Sequence, residues 1–268
     1  MLAQPGRFSF ESWRRRRSAP PAGPSGSRAF TLVELLIAIG IIALLVSILA
    51  PTVARMRHMA RRVVCLTRLA SIGRGTHAYA AENHGDLFHC RYRWVQIALN
   101  PRIGSSGNDA IDWAGAAASV GLQGKAWECP DRPGSCQWEM EYPQLIIGYQ
   151  YFGGVEEWTT PWGVFPSRSP CNVYRSKEKW VLAADCMMKI DQVWGGGRPS
   201  AYGNMPPHRW KDPWPEGGNQ VYADGSADWV PFEKTLYIHS WGYYWRMAYF
   251  YQEDLGEYDP PEEAKARP

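Results

Sequence analysis

The punctuation of an enzyme is missing from this chain of 268 residues. No Ser, His and acid fall at a spacing that nucleophilic catalysis requires, no two carboxylates are set apart as acid and base, and Gly195-Gly196-Gly197 is not a phosphate-binding loop. His208 stands alone and reads as a structural or solvated histidine rather than a general base. A net charge of only +3 gives no ground for a nucleic-acid partner. Cysteines number six, but there is no C-x2-C pair and no histidine at matching spacing, which argues against a zinc module. Long hydrophobic runs are absent with one exception.

That exception is AFTLVELLIAIGIIALLVSILAP, residues 29–51, in which Glu34 is the single charge. About 20 apolar residues at roughly 1.5 Å each match the ~30 Å hydrocarbon core of a bilayer, so the run predicts a transmembrane helix. An acid in such a helix calls for a partner or must snorkel to the interface. A cleaved secretory signal has a shorter core and small residues before its cut; here Ile48 and Pro51 flank the only plausible site, Ala50. Residues 1–29 are rich in Arg, Ser, Pro and Gly and read as a disordered leader. Arg14–Arg17 precede the run while Arg55, Arg57, Arg61 and Arg62 follow it, so charge bias alone does not orient the helix.

Phe30-Thr31-Leu32-Val33-Glu34-Leu35-Leu36 resembles the processing box of the prepilin family, which includes type IV pilins and type II secretion pseudopilins. The resemblance implies cleavage by a prepilin peptidase between Ala29 and Phe30, methylation of the Phe30 amine, and retention of the helix in the mature protein. It further implies an assembly role for Glu34, whose carboxylate would meet the Phe30 amine of its own or a neighbouring subunit, and a helix kink at Pro51. Ala29 departs from the glycine usual before the cut. The implied setting is the bacterial inner membrane, crossed once, with the cysteine-bearing head in the periplasm and other pilin-like subunits as partners. A bacterial subset of the family is also resembled by Arg61-Arg62-Val63-Val64-Cys65-Leu66, Tyr79, His208, Gly217-Gly218-Asn219 and Asp224-Gly225-Ser226.

Beyond Pro51, Val53, Met56, Ala60, Val63, Leu66, Leu69, Ile72, Thr76 and Tyr79 recur every three or four residues, predicting an amphipathic continuation of the helix that stops at Asn83-His84-Gly85-Asp86. Short apolar runs at 145–152, 180–184, 220–223 and 227–232 predict antiparallel strands, the last two joined by a two-residue Asp224-Gly225 turn. The expected fold class is therefore α+β: a long N-terminal helix, transmembrane over 30–50 and amphipathic over 51–85, packed on an antiparallel β-sheet head over 86–255, with a disordered tail at 256–268. Cys129 and Cys136 bracket a run of turn residues and are the favoured disulfide. No cofactor is required, although major pseudopilins often hold calcium in a C-terminal loop, for which Asp224, Ser226 and Asp228 are the candidate ligands. Fourteen tryptophans are many for this length. Trp158, Trp162, Trp194, Trp210, Trp214, Trp241 and Trp245 read as core or subunit contacts, or alternatively as the sugar platform of a membrane-anchored carbohydrate-binding protein.

Overall fold

Helix α1 (Leu32–Glu82) carries the apolar run and continues through Pro51 to the predicted stop. The structure, a computed structural model, describes residues 30–90, 96–99, 113–140, 144–195, 205–241 and 246–268; the expected leader, Ala29 with it, lies outside them. The helix begins with a capping box: Thr31 N and Oγ1 each donate to Glu34 Oε2 at 2.9 Å, and Glu34 N donates to Thr31 Oγ1 at 3.2 Å. It ends where Gly85, at φ +86°, donates its N–H to the Ala80 carbonyl at 2.8 Å.

Two compact units divide the chain after Pro51. In the first, every side chain from Phe30 to Pro51 is exposed. An apolar surface of that extent belongs against lipid or another helix.

In the second unit, Thr52–Pro268, the helix buries His58, Cys65, Leu69, Ile72, Gly73, Gly75, Thr76 and Ala80. The predicted apolar face is confirmed from Leu69 onward but not before: Met56 and Val63 are 68% and 61% exposed. Apart from His58, no residue of the helix between Thr52 and Val64 is fully buried, although Arg62 is partly covered by the Trp229 ring.

After β1 (Gln96–Leu99) and the short helix α2 (Trp113–Ser119) come β2 (Gln137–Glu139), β3 (Gln144–Tyr151), β4 (Glu157–Thr160), β5 (Gly163–Pro166), β6 (Val181–Asp185), β7 (Met188–Ile190), β8 (Gly217–Tyr222), β9 (Ala227–Pro231), β10 (Leu236–Trp241) and β11 (Arg246–Phe250). The main sheet has the order β1-β3-β6-β8-β9, with β2 also on β3, and its pairings are antiparallel. A three-stranded sheet, β10-β11-β7, and the β4-β5 hairpin complete the head. The α+β class expected from the sequence is thus the one observed.

Aromatic rings fill the core between α1 and the main sheet. Phe88 stacks on Tyr151 at 5.1 Å between centroids, and Trp127 meets both rings edge-on. Gly148 on β3 lies so close to the loop carrying Cys129 that an added Cβ would stand 2.6 Å from Cys129 N and 2.8 Å from the Trp127 carbonyl.

Two expectations are corrected. The β8–β9 turn uses three residues, because Tyr222 N bonds Ser226 O and Gly225, at φ +80°, follows Asp224 as the left-handed closing residue. The tail, polar enough to look disordered, is ordered: Ala266 N donates to Thr235 O, Trp194 Nε1 donates to Arg267 O at 2.8 Å, and Ala264 is fully buried.

His239 on β10 is buried, with Nδ1 accepting Thr159 N at 3.0 Å and Nε2 unpartnered; burial pushes its imidazole down to about 3. The unfolded chain protonates the same ring near pH 6.5, so between roughly pH 6.5 and 3 it takes up a proton that the fold refuses, and stability falls as pH falls. Going from about pH 7 to about pH 5 should lower the stability of a Thr52–Pro268 fragment by about 2 kcal/mol through this group alone. Urea titrations at the two pH values should show that dependence shrink in His239→Gln; an unchanged dependence would mean that His239 is protonated inside the fold.

Candidate functional site

At the helix start, the sequence brings Phe30 and Glu34 within one turn. Glu34 spends one carboxylate oxygen on Thr31, the residue next to Phe30. On the sequence alone Glu34 is paired with the Phe30 amine of its own or a neighbouring subunit; the Thr31-x-x-Glu34 spacing is the available signal for the further part it plays here, as a helix cap.

The head holds a second constellation, which no spacing rule found. Cys65 comes from α1, Cys129 from the loop before β2, Asp185 from the end of β6, and His208 from the segment before β8. One donor atom of each lies within 4.8 Å of the other three, and all four residues are buried. Cys65 Sγ and Cys129 Sγ are 2.9 Å apart as unbonded thiols. Asp185 Oδ2 accepts Asn219 N at 2.7 Å and Asn219 Nδ2 at 2.8 Å, and lies 2.9 Å from His208 Nε2. Asp185 Oδ1 is buried and has no hydrogen-bond partner among the described residues.

A second layer holds these groups in place. His208 Nδ1 lies 2.8 Å from Asp131 Oδ2, outside hydrogen-bonding geometry but well within ion-pair range, and Asp131 Oδ1 accepts Arg61 Nη1 at 3.0 Å. Asn219 Nδ2 also reaches the Arg62 carbonyl at 3.2 Å, tying β8 to α1. His208 has a backbone φ of +60°, a conformation uncommon for a residue with a Cβ.

The electrostatics follow from this packing. Burial works against a charged His208, but Asp185 and Asp131 outweigh it and hold the imidazole well above its ordinary range. Burial likewise opposes ionisation of Cys129, yet the Cys65 thiol and His208 bring it down to about 7. Cys65 is pushed up by its bond to Cys129 and by burial, and so keeps its proton. A low thiol, a second thiol, an imidazole and a carboxylate form a donor set suited to a borderline divalent metal.

The other predicted sites fare differently. Cys129 and Cys136 are not bridged, because consecutive turns, Arg132 N to Cys129 O and Ser135 N to Arg132 O, carry the chain between them while Cys129 faces Cys65. Asp224 Oδ2 and Ser226 Oγ both bond Lys179 Nζ, at 2.8 and 2.7 Å, so the chain's own ammonium stands where a calcium ion was expected, and Asp228 Oδ1 accepts Trp229 N. Trp158 and Trp194 belong to the core, which removes them from any sugar platform; Trp162 and Trp210 are half-exposed. The Trp241 side chain and all of Trp245 lie outside the described residues.

A family model described as a prokaryotic N-terminal methylation motif matches residues 24–50. No curated protein and no solved structure matches the chain. Motif and apolar helix together mark a membrane-anchored protein of the cell envelope, type IV pilin- or pseudopilin-like at its N-terminus, and imply processing by a prepilin peptidase.

Proposed function

From the methylation motif as premise, we propose that this protein is a structural subunit of a pilus-like filament, in the setting of a type II secretion machine, and not an enzyme. The observation that carries the reading is the coincidence of the motif over 24–50 with a helix whose whole apolar surface from Phe30 to Pro51 is uncovered. Packing of such helices side by side buries that surface at no polar expense except Glu34, whose partner is the amine released at Phe30. In the second unit Met56, Met59, Val63 and Val64 are also exposed apolar residues on which a neighbouring subunit could pack. Pro51 lacks the amide hydrogen of a regular helix and is the natural place for the kink. The head, with its main sheet, is carried on the periplasmic side.

Intact-mass analysis of the protein extracted from its native membrane tests the premise. The expected species begins at Phe30 and carries one added methyl group. A chain still bearing residues 1–29 would show that Ala29 defeats the peptidase, and the filament reading would fall, leaving a simple membrane-anchored head.

A further inference from the structure

We propose that Cys65, Cys129, Asp185 and His208 form a closed structural site for a zinc-class divalent ion that locks helix α1 to the main sheet. Zinc bonds of about 2.0–2.3 Å in a tetrahedron put neighbouring ligand atoms roughly 3.3–3.8 Å apart, and the four donor atoms here, all within 4.8 Å of one another, reach that geometry by small side-chain rotations. Four protein donors, all from buried residues, fill a tetrahedron and leave no open coordination position, which is the mark of a structural rather than a catalytic zinc.

The surroundings favour an ion over the simpler alternative, a Cys65–Cys129 disulfide. A disulfide accounts for two sulfurs and leaves Asp185 Oδ1 buried and unpaired; an ion accounts for all four groups at once. The groups behind the ligands are also those that metal sites use. The ring nitrogen of His208 that would not bind the ion faces the Asp131 carboxylate, and the Asp185 oxygen that would not bind it accepts two hydrogen bonds from Asn219. On uptake His208 Nε2 turns from Asp185 Oδ2 to the metal, and the ion displaces that ring proton and whichever thiol protons are still present, up to three in all, leaving Nδ1–H facing Asp131. Entry is provided by a cleft of about 350 Å³ that Arg61, Asp131, Pro206, His208 and Trp210 help to line. The site is independent of whether the chain assembles into filaments.

The test uses the full chain, extracted in detergent without chelator. Elemental analysis should find one zinc per chain, and replacement by cobalt(II) should give the intense visible bands of a tetrahedral site together with a thiolate charge-transfer band. Cys129→Ser should lose the metal, whereas Cys171→Ser, an exposed cysteine, should keep it. Asp131→Asn leaves every ligand in place and should weaken affinity by about ten- to a hundredfold, so the proposal does not depend on a variant that merely misfolds. A native protein without metal, whose mass and blocked thiols reveal a Cys65–Cys129 bridge, would overturn it. So would a cobalt spectrum without thiolate bands.

Discussion

Replacing Glu34 with leucine should reduce crosslinked subunit ladders in the native membrane by roughly tenfold or more, since it leaves the Phe30 amine of a packed neighbour without its counter-charge. Leucine also removes the local cap on Thr31, and the two effects are separable. Glu34→Gln retains a side chain able to close the capping box but not the charge. If assembly depends on the ion pair, glutamine fails like leucine; ladders restored by glutamine would assign Glu34 to helix initiation and remove it from the contact between subunits. Membrane levels of each variant, measured alongside, separate assembly from insertion.

The largest effect on the head is expected at Trp127. Its indole is fully buried, meets Phe88 and Tyr151 edge-on, and donates Nε1 to the Leu122 carbonyl at 2.8 Å. Trp127→Ala opens a cavity and leaves that carbonyl without its donor, a loss of about 3–5 kcal/mol. At the low end of the usual total of about 5–15 kcal/mol, this is enough to leave a sizeable fraction of the head unfolded. Urea unfolding of a Thr52–Pro268 fragment, followed by circular dichroism, reads the change directly. A loss under about 1 kcal/mol would mean that the aromatic cluster closes over the gap and that Trp127 is filling rather than framework.

What the sequence disclosed follows the range of the interactions. The anchor, the helix stop at Gly85 and the β8–β9 hairpin are local: an apolar run, one left-handed glycine and an Asp-Gly turn each speak within a few residues. The cluster is not local. Cys65 and Cys129 are 64 positions apart and Asp185 and His208 are 23 apart, each supplied singly by its own element, so no motif spacing exists to be read. Asp185 carried no signal at all, and His208 looked solitary because its partners arrive only with the fold. The Cys129–Cys136 expectation failed for a related reason: turn residues between two cysteines say that the chain bends, not which way the side chains face. The tail misled through composition, since its burial rests on backbone bonds from Ala266 and to Arg267 that polar content does not foreshadow.

The bond from Asn219 to the Arg62 carbonyl spans 157 positions of the chain. Synthesis runs from the N-terminus, so the helix is complete long before β8 exists to receive it. Throughout that interval Cys65, Leu69 and Ile72, all fully buried in the finished head, face outward on a nascent chain. A growing polypeptide in that state is open to capture by a sibling emerging beside it and to premature oxidation of its thiol. Production of this protein is therefore expected to respond to the supply of chaperones and thiol-handling factors in the compartment that receives the head.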